Sequence, residues 1–202
     1  GNFDWLANAD KFPGLCTPDD SYHGLTYAKK FGKMGYITKL VAQLMRDLGS
    51  IPAPMNSFIL NLGLQSLHLR MKQHCANAQQ AEFLQADPRV AWVHFSGLPG
   101  DQYHELAEKY LPNGSCGVIA FGLKGDRDTA IRFMDSLDMI NIVTHVADAR
   151  TCVLHPASHT HRQLSDEQLR EAGVAPDLIR LSVGIEDVED ILDDIRQALD
   201  KI

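Results

Sequence analysis

The sequence has 202 residues, of which 45% are apolar and 22% charged, with a formal net charge of −7. That is enough apolar material for one domain with an appendage, and the negative balance, without any basic run, excludes a general attraction to nucleic acid or an anionic membrane. No apolar stretch approaches the roughly 20 residues that span a bilayer, and Cys16, Cys75, Cys116 and Cys152 form no CxxC pair, so neither a zinc ribbon nor a redox motif is indicated and reduced thiols in a cytoplasm are expected.

Residues 1–23 mix Asn, Asp, Pro and Gly with Phe3, Trp5, Phe12, Leu15 and Tyr22, the pattern of an irregular arm pinned by apolar anchors. Gly1 has no initiator methionine before it and the opening lacks the regions of a signal peptide, so the chain reads as one entered midway. From Leu25 to Leu48 apolar residues recur at helical spacing and Gly49 supplies a stop, while Gly32 and Gly35 predict a bend or a close backbone approach. Ile51-Pro52-Ala53-Pro54 breaks that helix, because each proline turns its predecessor away from the α region. Asn56 or Ser57 then caps a new start, and Phe58, Leu60, Leu62, Leu64, Leu67 and Leu69 make the stretch apolar on several faces, as in a buried helical hub. A more polar helix is predicted over 72–86, ending at Asp87-Pro88.

Beyond Pro88 short strands alternate with amphipathic helices. Val90 to Phe95 and Gly117 to Leu123 read as strands, with a helix capped by Asp101 between them and another starting at Asp126. Ile140 to Val143 and Thr151 to Leu154 are two further β-type runs. Ser165 and Gln168 have capping-box spacing for a helix ending at Gly173, Ile179 to Val183 is a strand, and Val188, Ile191, Leu192, Ile195 and Leu199 share one side of the last helix. The fold expected is α+β: a small, mostly antiparallel sheet covered by helices, preceded by an irregular arm and long connecting helices.

Arg180 stands alone inside the apolar run that leads to Gly184 and the acidic helix start at Glu186-Asp187. A planar fork of donors near a strand end suits an amino-acid α-carboxylate, and it equally suits an internal ion pair with an Asp or Glu. His155, His159 and His161 form the densest functional cluster and read as a polar loop or, if extended, as metal ligands sharing one strand face. Arg70, inside an apolar helix, suits fixing a helix end or pairing internally, whereas His145, Asp148 and Arg150 lie in a polar stretch able to line a cleft. No Ser-His-Asp order, Walker loop or GxGxxG occurs, so triad hydrolysis and nucleotide binding have no support.

Gly63-Leu64-Gln65-Ser66-Leu67-His68-Leu69-Arg70-Met71, residues 148–161 and residues 180–187 together resemble the carboxyl half of the Cys/Met-metabolism pyridoxal-phosphate enzymes, in that family's order and spacing. Asp4-Trp5, Phe12-Pro13 and Tyr22-His23-Gly24 resemble the insertion of its O-acetylhomoserine sulfhydrylase group. The resemblance implies the C-terminal domain of a fold-type-I transferase, with residues 1–87 as arm and connecting helices of the cofactor domain and 88–202 as the C-terminal α+β domain. It implies pyridoxal phosphate in the full-length enzyme, O-acetylhomoserine with sulfide or methanethiol as substrates, and a homo-oligomer. Arg180 matches the family's carboxylate-binding arginine, and His145 stands where relatives commonly carry a serine or asparagine serving the same carboxylate. The family's Schiff-base lysine, in a Ser-x-Thr-Lys-type strand, would fall before Gly1, and Lys11, Lys29, Lys30 and Lys33 have no such context. The expectation is therefore a chain without a catalytic residue, without bound cofactor or metal, and inactive alone. The alternatives are a non-catalytic oligomerisation module and a His-cluster metal protein.

Overall fold

A computed structural model describes residues 2–79 and 81–202, so Gly1 and Gln80 lie outside the described residues. The chain divides into two units, Gly1–Leu62 and Gly63–Ile202. The division falls within a helix, upstream of the change in sequence pattern at Pro88.

In the first unit the aromatic anchors of the arm find each other. Trp5 packs against Phe3 and Phe12 at centroid distances of 4.6 and 5.1 Å and stacks on Tyr36 at 5.9 Å. Helix α1 (Pro13–Cys16) starts with its proline, and Leu15 joins Tyr27 and Ala28 in a small core. The periodic run from Leu25 to Leu48 is helical but not uniformly so. It passes through α2 (Tyr27–Phe31), a 3₁₀ turn (Gly32–Met34), α3 (Gly35–Lys39), a π segment (Leu40–Met45) and α4 (Arg46–Leu48). Both consequences expected of the two glycines occur. Gly32 takes a φ of +51°, and a Cβ on Gly35 would lie 3.0 Å from the Tyr27 carbonyl oxygen. Lys39 closes this unit by donating to the Gly14 carbonyl and to Asp19, each at 2.7 Å. Its hydrogen bond, with a second from Ser21, lowers the Asp19 pKa to about 2.

Helix α5 (Pro54–Gln65) begins at Pro54, ahead of the expected Asn56 or Ser57, because the missing amide of proline costs nothing in a first turn. The buried hub expected here is not what the structure shows: Phe58 is 60% and Leu60 71% exposed. Apolar residues spread around a whole helical circumference cannot all meet one core.

The second unit contains α6 (Leu67–Ala78) and α7 (Ala81–Ala86), which replace the single long helix predicted over this stretch with two. Strands β1 (Val90–His94), β2 (Val118–Leu123), β3 (Asn141–Ile142), β4 (Cys152–Leu154) and β5 (Leu178–Ser182) form one sheet in the order β1-β2-β5-β4-β3. Only β3 and β4 run parallel, so the sheet is mostly antiparallel, as expected. Helix α8 (His104–Tyr110) follows β1, and Asp101 acts before it rather than as its cap, accepting from the Phe95 and Tyr103 amides. Helices α9 (Arg127–Asp135) and α10 (Asp166–Glu171) open with complete capping boxes at Asp126 and Ser165. Helix α11 (Val188–Leu199) starts at Asp187 and buries Ile191, Leu192, Ile195 and Leu199. Ile191, Ile195 and Leu199 pack with Ile119, Phe121, Phe133, Ile179 and Leu181 in one core.

Candidate functional site

Strand β5 sits between β2 and β4, with Arg180 opposite Ala120 on one side and Leu154 on the other. Alternate residues of a strand face opposite sides. Ile179, Leu181 and Val183 enter the core, while Arg180 and Ser182 meet the loop joining β3 to β4. Nη2 of Arg180 donates to the Thr144 carbonyl at 2.9 Å and to the His145 carbonyl at 3.2 Å. No carboxylate lies within ion-pair distance of it among the described residues, so the internal ion pair left open by the sequence does not form. Two of the five guanidinium N–H groups are thus engaged, and the Nε–H is buried with no partner among the described residues. A buried unpaired donor on a fixed cation is an incomplete hydrogen-bond set, the arrangement a bound anion would complete.

The loop is fastened along its length by the same edge of the chain. The Ala147 amide, at a φ of +60°, donates to Ser182 Oγ at 3.1 Å. The Ile185 amide donates to the Ala149 carbonyl at 2.9 Å. Glu186 accepts from the Thr151 amide at 2.6 Å and the Thr151 hydroxyl at 2.9 Å, and that hydroxyl accepts from the Gly184 amide at 2.9 Å. A Cβ at position 184 would fall 2.2 Å from Glu186 Oε2 and 2.5 Å from the Ala149 oxygen, so only glycine fits there. From the other side α6 holds the same turn: Asn77 donates to the Gly184 and Glu186 carbonyls at 3.1 and 2.9 Å. His74 Nδ1 lies 2.7 Å from the Val183 carbonyl and therefore carries the proton.

His145 is brought to Arg180 through its carbonyl, not its ring. The imidazole is 59% exposed, with Nδ1 3.6 Å from Asp148 Oδ2. The backbone amide and then the guanidinium of Arg150 donate to Asp148, holding its carboxyl below the usual range. His145, Asp148 and Arg150 consequently share the one loop that Arg180 meets from β5.

The histidine cluster is divided by the fold. Residues 156–161 form turns rather than the extended strand that would align imidazoles. His155 is fully buried, with Nε2 donating to the Pro176 carbonyl at 2.8 Å and Nδ1 2.9 Å from Ser158 Oγ. Burial lowers its pKa, favouring the neutral ring. No group of three metal-type ligands forms among the described residues. Arg70 fixes a helix end, as one of its two expected roles, by donating to the Gly63 carbonyl at 2.6 Å and to Ser66.

Thr151, Ser182, Glu186, Asn77 and His74 escaped sequence reasoning as site residues. For Ser182, Gly184 and Glu186 a signal existed, the period of two that runs on from Arg180 in Arg180-Leu181-Ser182-Val183-Gly184-Ile185-Glu186. The partners on α6 and in the loop are more than thirty residues away and carry no such signal.

The fold is thus that of an α+β domain presenting a strand-borne arginine to a fastened loop. Residues 20–200 match the model of the Cys/Met metabolism PLP-dependent enzymes, and the chain belongs to that family. It is 41% identical over 201 residues to the homocysteine synthase of Schizosaccharomyces pombe, covering 99% of this chain and 47% of that one. It is 40% identical over 200 residues to O-acetyl-L-homoserine sulfhydrylase 1 of Thermus thermophilus, covering 98% and 47%. Among solved structures, one named for an O-acetylhomoserine (thiol)-lyase of Campylobacter jejuni, containing N'-pyridoxyl-lysine-5'-monophosphate, matches with a TM-score of 0.83 and 36% identity, over 98% of this chain and 47% of that one. The chain therefore spans about half the length of the curated relatives it matches.

The family is PLP-dependent. The lysines considered for this group do not build a seat for it: Lys11, Lys29, Lys30 and Lys33 are all exposed. No chemical step through the cofactor is assigned to this chain's own residues.

Proposed function

We propose that this chain supplies the substrate-carboxylate side of a PLP-dependent enzyme that makes homocysteine or methionine from O-acetylhomoserine and sulfide or methanethiol. Arg180 anchors the α-carboxylate and His145 stands beside it. The observation that carries the reading is the guanidinium itself, on the central strand of the sheet and, among the described residues, with no carboxylate at ion-pair distance and with a buried Nε–H that has no partner. Fixing the carboxylate orients the rest of an amino acid toward the reactive group and lowers the entropy cost of reaction. With the lysines considered for the cofactor all exposed among the described residues, we infer that the chain is inactive alone and works as part of a cytoplasmic homo-oligomer.

The test is a titration of the ¹⁵N-labelled chain with O-acetylhomoserine and with its methyl ester, following the Arg180 Nε–H signal. A charged hydrogen bond is worth about 1.5–3 kcal/mol, so R180K should weaken binding of the acid by about tenfold or more. The ester should leave the signal in place. Equal responses to acid and ester would refute the carboxylate role, and homocysteine formation by the chain alone with pyridoxal phosphate and sulfide would refute its inactivity. A second reading, a non-catalytic association module, draws on the exposed apolar side chains of α5 and would stand if Arg180 failed that titration.

A further inference from the structure

Arg180 does not hold its place unaided. The residues that follow it on the same side of the chain, Ser182, Gly184 and Glu186, grip the loop at two points: Ser182 takes the Ala147 amide, and Gly184 and Glu186 both take Thr151. Arg180 in turn spends one nitrogen on carbonyls near the other end of that loop, those of Thr144 and His145. The loop is therefore fastened at both ends, and the direction of the guanidinium depends on where the carbonyls of Thr144 and His145 lie.

We propose that Glu186 is a positioning residue for Arg180: by fixing Thr151 it sets the loop whose Thr144 and His145 carbonyls aim the guanidinium. Among the described residues the Glu186 carboxylate bonds to Thr151 and not to the guanidinium. Three features support the assignment. Both oxygens of its carboxylate are committed to Thr151, one to the amide and one to the hydroxyl. The Thr151 hydroxyl passes the constraint back to β5 by accepting from the Gly184 amide. Asn77 of α6 holds the Glu186 and Gly184 carbonyls, so the backbone at the fastening point is itself fixed. Ala147, a non-glycine residue in the left-handed region, is the strained point this fastening holds down.

As a determinant of affinity, the assignment rests on the carboxylate role of Arg180; as a determinant of side-chain order it does not, and the experiment separates the two. In the ligand-free 202-residue chain, exchange of the Arg180 Nε–H and of the Ala147 and Thr151 amides is measured in wild type, E186A and E186Q. Losing a charged pair of hydrogen bonds at Thr151 should accelerate exchange at Arg180 and Ala147 by about tenfold or more in E186A. Strand amides such as Ile119 and Leu181 should remain protected, which shows that the sheet still folds. E186Q keeps one acceptor and can donate to the Thr151 hydroxyl, so it should restore most of the protection. Binding of O-acetylhomoserine should weaken in E186A in step with the Nε–H exchange. Unchanged exchange at Arg180 in E186A overturns the positioning role. So does uniform loss of protection across the strand amides in both variants, the mark of a merely structural residue. Altered exchange in E186A, together with a wild-type chain that does not distinguish acid from ester, sustains the positioning and rejects the carboxylate reading alone.

Discussion

Replacing Asp194 with asparagine isolates a carboxylate that organises the entry to β3. Asp194 lies in the middle of α11 and is 6% exposed. Its Oδ1 accepts from the Asp138 amide at 2.8 Å and from Gln197 Nε2 at 2.9 Å, and its Oδ2 accepts from the Met139 and Ile140 amides at 3.0 and 2.8 Å. Asparagine is nearly isosteric, but whichever way its amide is turned an NH₂ faces two donors. Two N–H groups then lose their acceptor and a charge-assisted set becomes neutral. At about 1–3 kcal/mol for each buried unsatisfied group, the loss should be about 3 kcal/mol after local relaxation. Burial pushes the carboxyl pKa up, and the amide donors outweigh it and leave it lowered. A carboxylate with a folded-state pKa below its unfolded value stabilises the protein above roughly pH 4, and that contribution fades as the pH falls through the folded value. The assay is urea unfolding followed through Trp92, with Trp5, the other tryptophan, changed to phenylalanine. The wild type should lose its advantage over D194N on acidification. A difference under about 1 kcal/mol at pH 7, or one independent of pH down to about 2, would refute the reasoning.

Two further outcomes follow from the same reading of charge and burial. The Asp19 carboxyl should titrate near 2 by NMR, and K39A should move it toward the ordinary range near 4, because the Lys39 hydrogen bond is its largest cause. H155A should cost about 2–4 kcal/mol in a denaturant melt, since it empties a buried site and strands the Pro176 carbonyl. Because burial lowers the His155 pKa, its contribution should be complete above the unfolded value of about 6.5 and shrink as the pH falls through the folded one.

Much of the second unit was legible in the residues. The helix start at Asp126, the capping box at Ser165, the alternation in β5 and the apolar stripe of α11 are local patterns, fixed by the periods of helix and strand and by end groups a few residues apart. Arg180 was conspicuous because an isolated cation in an apolar run needs an explanation. The neighbourhood of α5 was misread for the same reason that α11 was read correctly. Periodicity reports which faces are apolar but not what lies against them.

The amino-acid order alone determined the α+β class, the strand that carries Arg180 and the family likeness, because these depend on spacing along the chain. Only the tertiary structure decided that Arg180 takes backbone carbonyls instead of a carboxylate, that His145 contributes its carbonyl, and that the histidine cluster separates into a buried hydrogen-bonded ring and surface turns. Those outcomes depend on which distant groups arrive within about 3 Å of each other, a distance over which a hydrogen bond is made or lost and which no linear spacing encodes.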